Sequence, residues 1–319
     1  MPTPTESHKR SLTILNVGHG NAAILSDEGG AVVFDTGLKG TEVLRFIRKN
    51  GIREIEALYL SHSDADHIGG ASTLLLDPDI RVGHVYLNGD STKRSKVHRQ
   101  FRYATVIARK NQGTVTHTEL STTTNPADPR VGARIEVLYP TPEVLLSGAG
   151  GVELSGESIT SNSASAVIRV GDDPSSSVLL CGDIEGACIQ HWSDEGVDVR
   201  AAVLVFPHHG GSPGQSEADR IAKFCRTLSN MVAPIHVVFS IHKTLHNLPR
   251  QEILDELLAC RVDVAFACTQ LPSRFHSSVA SASQWRHHLG PYGATISEAD
   301  ITCEFGEAAL ILALTLRTA

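Results

Sequence analysis

Four side chains with metal-binding chemistry fall within six residues of this sequence, His62-x-Asp64-x-Asp66-His67. They follow the apolar run ALYL (57–60) and precede Gly69-Gly70, a pattern that reads as a strand entering a tight loop and then a helix. Imidazoles and carboxylates at this spacing can converge on one or two cations, and the mixture suits Zn²⁺, Mn²⁺ or Fe²⁺. One loop cannot complete a hydrolytic metal site, so distant ligands are required. Two segments offer them with the same placement after an apolar run: Asp183 in VLLCGDIE, and the pair His208-His209 in VLVFPHHGGS. His246, in LHNLP, could protonate a leaving group, and His242 is a weaker alternative. Each residue alone also has a plain structural reading, as a hydrogen-bonded loop residue or as a histidine opening a helix. Their shared placement at strand ends favours a common site.

A second chemical signal is a basic stretch. Lys93, Arg94, Lys96, Arg99, Arg102, Arg109 and Lys110 occur between positions 93 and 110 without an acidic residue, interleaved with His98, Phe101 and Tyr103. Cations alternating with rings can track a phosphate backbone and stack bases, although a solvated helix face has the same composition.

The elements that must position these groups follow from periodicity. Strands are expected at 11–17, 22–25, 31–34, 57–60, 134–138, 164–170, 178–181, 203–206, 236–240, 262–267 and 308–314. Helices are expected at 41–50, 71–76, 100–111, 184–193, 217–227 and 250–260. Strands in two blocks with helices between and around them suggest two packed sheets with helices outside, the alternative being one α/β sheet. The Gly- and Ser-rich stretch 148–163 reads as a ligand-responsive loop rather than a linker, because strands resume on both sides. The expectation is therefore a polar tail (1–10) and one domain (11–319).

Composition narrows the function classes. The chain has 319 residues, 41% hydrophobic and 20% charged, as in ordinary globular proteins. A formal net charge of -7 argues against coating of nucleic acid over the whole surface, but it leaves room for a local basic groove. The first ten residues lack an apolar signal-peptide core, and no run of 18 apolar residues occurs, so no membrane association is expected. Six cysteines without a CxxC pair fit reduced thiols, and the expected location is the cytoplasm.

The order of these motifs resembles the metallo-β-lactamase superfamily, and within it the hydrolase domain of the DNA-uptake protein ComEC and its free-standing relatives. The resemblance rests on NVGHGNAAIL, VVFDTG, LSHSDADHIGG, IEVLYP, NSASAVIRV, VLLCGDIE, VLVFPHHGGS and HNLPRQEILDEL, from about residue 12 to about residue 270. It implies an αββα sandwich, two mixed β-sheets flanked by helices, with metals at one edge between the sheets. It further implies two divalent ions, Zn²⁺ or Mn²⁺ with Mg²⁺ admitted. His62 and Asp64 would bind the first ion, Asp66 and His67 the second, and Asp183 would bridge them. His208 or His209 would close the second site; His209 is favoured because the ligand in related chains precedes a small residue.

His246 matches a family histidine before proline. Departures from the family pattern also occur. The stretch Asn162-Ser163-Ala164-Ser165 lacks the further histidine most members place on the first ion, Asp64 stands where many have His, and His19 and Asn21 replace Gln and Asp. An oxygen-rich first site, shifted towards Mn²⁺ or Mg²⁺, is the consequence expected.

The function expected is that of a metal-dependent phosphodiesterase or nuclease, with Asp66 orienting the nucleophile and a nucleic acid or other phosphodiester as partner. Asn162, Ser163, Lys96, Arg99 and Arg102 are the expected substrate contacts. The alternatives are a hydrolase of a small ester, lactone or lipid head-group, and a non-catalytic nucleic-acid-binding or sensor module.

Overall fold

Alternating burial along the strands decides the layers. The computed structural model describes residues 10–28, 30–124, 132–152, 156, 158–214, 218–260, 263–288, 295–305 and 310–316. Strands β1 (Ser11–Ile14), β2 (Ala23–Asp27) and β3 (Gly30–Phe34) form an antiparallel meander. Along them Leu12, Ile14, Ala23, Leu25, Val32 and Phe34 face one core, and Ile24, Ala31 and Val33 face another. Side chains on a strand point alternately to opposite faces, so this sheet is covered on both sides.

β4 (Glu54–Tyr59), β5 (Arg81–Tyr86) and β6 (Val115–His117) extend the sheet in parallel beyond β3. The second sheet holds β7 (Ile135–Tyr139), β8 (Val167–Val170), β9 (Val178–Leu180), β10 (Val203–Val205), β11 (His236–Phe239) and β12 (Ala265–Cys268). β13 (Ala299–Phe305) and β14 (Leu310–Leu316) return to the free side of β1. The sheet orders are β14-β13-β1-β2-β3-β4-β5-β6 and β12-β11-β10-β9-β8-β7.

Helices cover both outer faces. α1 (Thr41–Lys49), α2 (Ala65–Ile68), α3 (Ala71–Leu75) and α4 (Lys96–Gln112) lie on the first sheet. The short α5 (Pro142–Ser147) follows β7. α6 (Gly186–Glu195), α7 (Ala218–Val232) and α8 (Gln251–Cys260) cover the second sheet, burying Trp192, Phe224, Leu228, Ile253 and Leu257. The core between the sheets is lined from both sides, by Leu25, Val32 and Phe34 against Ile168, Val203 and Val238. This is the αββα arrangement that the resemblance implied.

The differences from expectation have local causes. β5 was not expected because Gly83 and His84 interrupt its apolar run. Gly83 is required there, since a Cβ would stand 2.8 Å from the Glu56 carbonyl oxygen. β6 and β13 were also unforeseen, β13 despite alternate burial of Ala299, Ile301 and Cys303. α4 begins four residues earlier than expected because the Ser95 hydroxyl accepts from the His98 N–H at 3.1 Å, an N-cap.

Residues 1–9, 153–155, 157, 217, 262 and 308–309, which belong to the expected tail, loop, helix and strands, lie outside the described residues. All six cysteines are free thiols. Among the described residues, no helix is long and apolar enough to cross a membrane.

Candidate metal centre

The chemically competent residues gather where strands end. His19 follows β1, Asp35 follows β3, Ser61 to His67 follow β4, Asp183 follows β9, His208 and His209 follow β10, and Ser240 follows β11. In layered α/β folds this end is where loops converge on ligands. Backbone strain concentrates here as well. Asp35, His208, His209, His246 and Asn247 all have positive φ, between 52° and 57°, and Ala233 is the only other such non-glycine among the described residues. Such conformations persist where the surroundings over-determine them.

Two groups of ligand atoms result. His62, His67 and Asp183 form the first and are fully buried. His67 Nε2 lies 3.2 Å from Asp183 Oδ1, and His62 Nε2 lies 3.9 Å from Asp183 Oδ2. The far nitrogens of both rings are held from behind: His67 Nδ1 is 2.8 Å from Asp35 Oδ2, and His62 Nδ1 is 3.1 Å and 3.2 Å from the Ser61 and Ser165 hydroxyls. Asp35 also accepts from the Ser61 N–H and hydroxyl, each at 2.8 Å.

The second group is His19, Asp66 and His209, at the floor of an open cleft of about 630 Å³. His19 Nε2 and His209 Nε2 each stand 3.3 Å from Asp66 Oδ2, and His209 Nδ1–H donates to the Ser240 carbonyl at 3.0 Å. Asp183 connects the groups, since its Oδ1 is also 3.6 Å from His209 Nε2.

Electrostatics accompany this geometry. Burial lowers the pKa of His62 to about 4, assisted by the neighbouring His67 ring, and burial with His209 lowers that of His19 to about 4. Burial pushes the other way at Asp66 and Asp183, but the facing imidazoles outweigh it and hold both carboxyls below the usual range. His67 is raised despite its burial, because Asp183 and Asp35 flank it.

The donor set fits divalent metal. His62 Nε2, His67 Nε2, His209 Nε2 and Asp183 Oδ1 are buried and have no well-formed hydrogen bond. Orphaned polar atoms of this kind cost about 1–3 kcal/mol each unless something satisfies them. Imidazoles oriented from behind by carboxylate, hydroxyl or carbonyl are the usual support of metal ligands.

The structure brings together His62, Asp66, His67, Asp183 and His209 from the sequence expectation. Among them His67 Nε2 lies nearer to the shared Asp183, at 3.2 Å, than to Asp66, at 4.0 Å. Asp64 joins neither group; it lies 3.8 Å from His62 Nε2 and its carboxylate is paired with the Lys93 ammonium. The buried group of His62, His67 and Asp183 itself offers two nitrogens and a carboxylate. His208 lines the cleft outside both groups, with its ring edge-on to His209 at 6.5 Å. His246 is exposed on the cleft wall, 4.7 Å from the His19 ring.

Asn162 lines the same cleft, whereas Ser163 is buried and its hydroxyl accepts from the Thr160 N–H at 2.6 Å. Lys96, Arg99 and Arg102 are exposed on α4; Arg99 and Arg102 border a separate cleft with Tyr103 and Val106. Sequence reasoning had noted His19 only as a departure and gave no role to Asp35 behind His67. It had also missed Lys93 on Asp64, and Ser165 and Ser240 behind the histidines. The signals available were weak: a histidine between two glycines, and single hydroxyls at strand ends.

The pattern of the family described as the Metallo-beta-lactamase superfamily matches residues 15–261, and the chain belongs to that family. It is a metallo-β-lactamase-fold, metal-dependent hydrolase. Among curated proteins it is similar to "Recombination protein 2" of Haemophilus influenzae, at 29% identity over 64% of this chain and 22% of that protein. It is also similar to "Uncharacterized protein YcaI" of Escherichia coli, at 26% identity over 64% of this chain and 23% of that protein. The chain thus spans less than a quarter of the length of these relatives. Among solved structures, the metallo-beta-lactamase fold protein YhfI from Bacillus subtilis has 12% identity and a TM-score of 0.48, covering 81% of this chain and 95% of that one.

Proposed function

We propose that this hydrolase is a phosphodiesterase acting on nucleic acid. The charge of the cleft carries the reading. Two His/Asp groups share Asp183 on its floor, Arg250 and Arg274 line its wall, and Lys93 pairs with Asp64 at its rim. A site built for a neutral ester has no need of cations around an anionic floor, whereas a phosphodiester needs its charge met on every side. The basic face of α4, with Lys96, Arg99 and Arg102, supports a polyanion longer than the cleft. The name of the Haemophilus relative is consistent with a polynucleotide substrate.

Divalent cations held by the two groups would supply Lewis acidity and an activated water. Zn²⁺ is favoured over Mg²⁺ because each group offers two imidazoles and one carboxylate. Within the chain, Asp66 orients the attacking water, Lys93 and Arg250 hold non-bridging phosphate oxygens, and His246 donates a proton to the leaving oxygen. Asn162 contacts the substrate from the opposite wall.

The test is hydrolysis of a bis-aryl phosphodiester and of single- and double-stranded DNA and RNA, with Zn²⁺ or Mn²⁺, comparing the protein with Asp66→Ala. Loss on the order of 10³-fold in the variant is expected. Equal rates in both proteins, or no cleavage with any metal, overturn the reading; faster turnover of an aryl acetate than of every phosphodiester moves the assignment to a small ester.

A further inference from the structure

We propose that His19 is a protein ligand of the cation held by Asp66 and His209. This rests on the metal-centre reading of the cleft, but not on its substrate. Asp183 Oδ1 lies between the two groups, 3.2 Å from His67 Nε2 and 3.6 Å from His209 Nε2, so the cation at the open group is already faced by Asp66, His209 and the shared Asp183. His19 adds a second imidazole whose Nε2 is within ligand reach of the same carboxylate.

The distances agree. His19 Nε2 and His209 Nε2 each lie 3.3 Å from the same oxygen, Asp66 Oδ2. That is longer than a good charge-assisted hydrogen bond, which is about 2.7–2.9 Å. It is close to the edge of a tetrahedron whose centre-to-ligand bonds are about 2.0–2.1 Å, the length of Zn–N and Zn–O bonds. Two imidazoles meeting one carboxylate oxygen in this way are spaced as ligands around a common centre.

The backbone holds His19 in this position. Gly18 and Gly20 flank it with φ of 80° and 120°, and a Cβ on Gly20 would stand 2.2 Å from the Asp66 carbonyl oxygen. The loop can therefore lie directly on the Asp66 backbone, where the Asn21 N–H donates to the same carbonyl at 3.2 Å. Ser240 then locks both histidines at once. Its hydroxyl donates to the Gly20 carbonyl at 2.7 Å, and its own carbonyl accepts from His209 Nδ1–H at 3.0 Å. A loop serving only as a turn would not need the same anchor as a metal ligand.

The experiment measures metal rather than turnover. Zn²⁺ per chain after dialysis, Zn²⁺ affinity by chelator competition, and the visible spectrum of the Co²⁺-substituted protein are compared for the natural chain, His19→Ala, His19→Gln and Asp183→Asn. The natural chain should hold two ions. In both His19 variants one ion should stay tight, the other should weaken by at least about 100-fold, and the Co²⁺ bands of that site should change. Gln can still hydrogen-bond Asp66, so full affinity in His19→Gln would mean that His19 only positions the carboxylate and would overturn the ligand assignment. Unchanged stoichiometry and spectrum in His19→Ala would overturn it as well. A natural chain that binds no metal would instead sink the metal-centre reading itself. Circular dichroism of metal-free variants separates misfolding from ligand loss.

Discussion

The two ligand groups differ in how they are built, although each offers two imidazoles and a carboxylate. His62, His67 and Asp183 are buried among residues that fix each ring from behind, with Asp35, Ser61 and Ser165 taking the nitrogens that face away from the site. His19, Asp66 and His209 lie at the cleft floor, and their ring supports reduce to Ser240 and the Gly18–Gly20 turn. Deep burial with a complete outer set of hydrogen bonds favours permanent occupancy. Partial exposure favours contact with substrate and exchange of the cation. The contrast assigns structural precision to one group and chemistry to the other, with Asp183 as the shared element.

The largest effect should come from breaking that shared element. Asp183→Ala should release both ions and reduce hydrolysis by at least about 10³-fold, whereas His209→Ala should release only the open one. Metal analysis of the two variants checks this, and retention of a full complement in Asp183→Ala would end the idea of a bridge.

A second prediction separates loss of fold from loss of metal in acid. His288, like His62, is fully buried with a pKa lowered by burial to about 4, but both its nitrogens are satisfied: Cys268 N–H donates to Nε2, and Nδ1–H donates to the Ile296 carbonyl at 3.1 Å. Its folded pKa lies below the ordinary 6.5, so the unfolded chain binds the proton more readily. Stability from this residue is therefore complete above about pH 6.5 and is lost as pH falls towards 4, by up to about 3 kcal/mol. Urea midpoints at pH 7 and pH 4.5 should fall less in His288→Gln than in the natural chain; equal declines would refute the assignment.

The smallest effect tests the outer support. Asp35→Ala should weaken the buried ion by about 10–100-fold and leave the open one nearly unchanged, while Ser240→Ala should do the reverse. Competition with a graded series of chelators resolves the two affinities, and equal weakening of both ions by either variant would erase the distinction between the groups.

Much of the fold was legible because period-two burial is written locally. Leu12, Ile14, Ile24, Leu25, Val32 and Val33 alternate between two cores, and Val203, Leu204 and Val205 do the same in the second sheet. β5 escaped notice because Gly83 answers to a carbonyl on β4, a neighbour far away in sequence. The ligand residues were legible as a set, since strand ends followed by histidine and aspartate are a local pattern.

What the sequence determined by itself was therefore the layered fold and the identity of His62, Asp66, His67, Asp183 and His209 as one constellation. Only the tertiary structure decided how they divide. A ring's direction depends on which distant group takes its other nitrogen: Asp35 turns His67 to Asp183, Ser240 turns His209 to Asp66, and Lys93 draws off Asp64. The same long-range contacts bring His19, from the far end of the first sheet's meander, to within 3.3 Å of Asp66. Spacing along a chain carries residue types and local turns; the aim of a side chain belongs to contacts that form only when both sheets have packed.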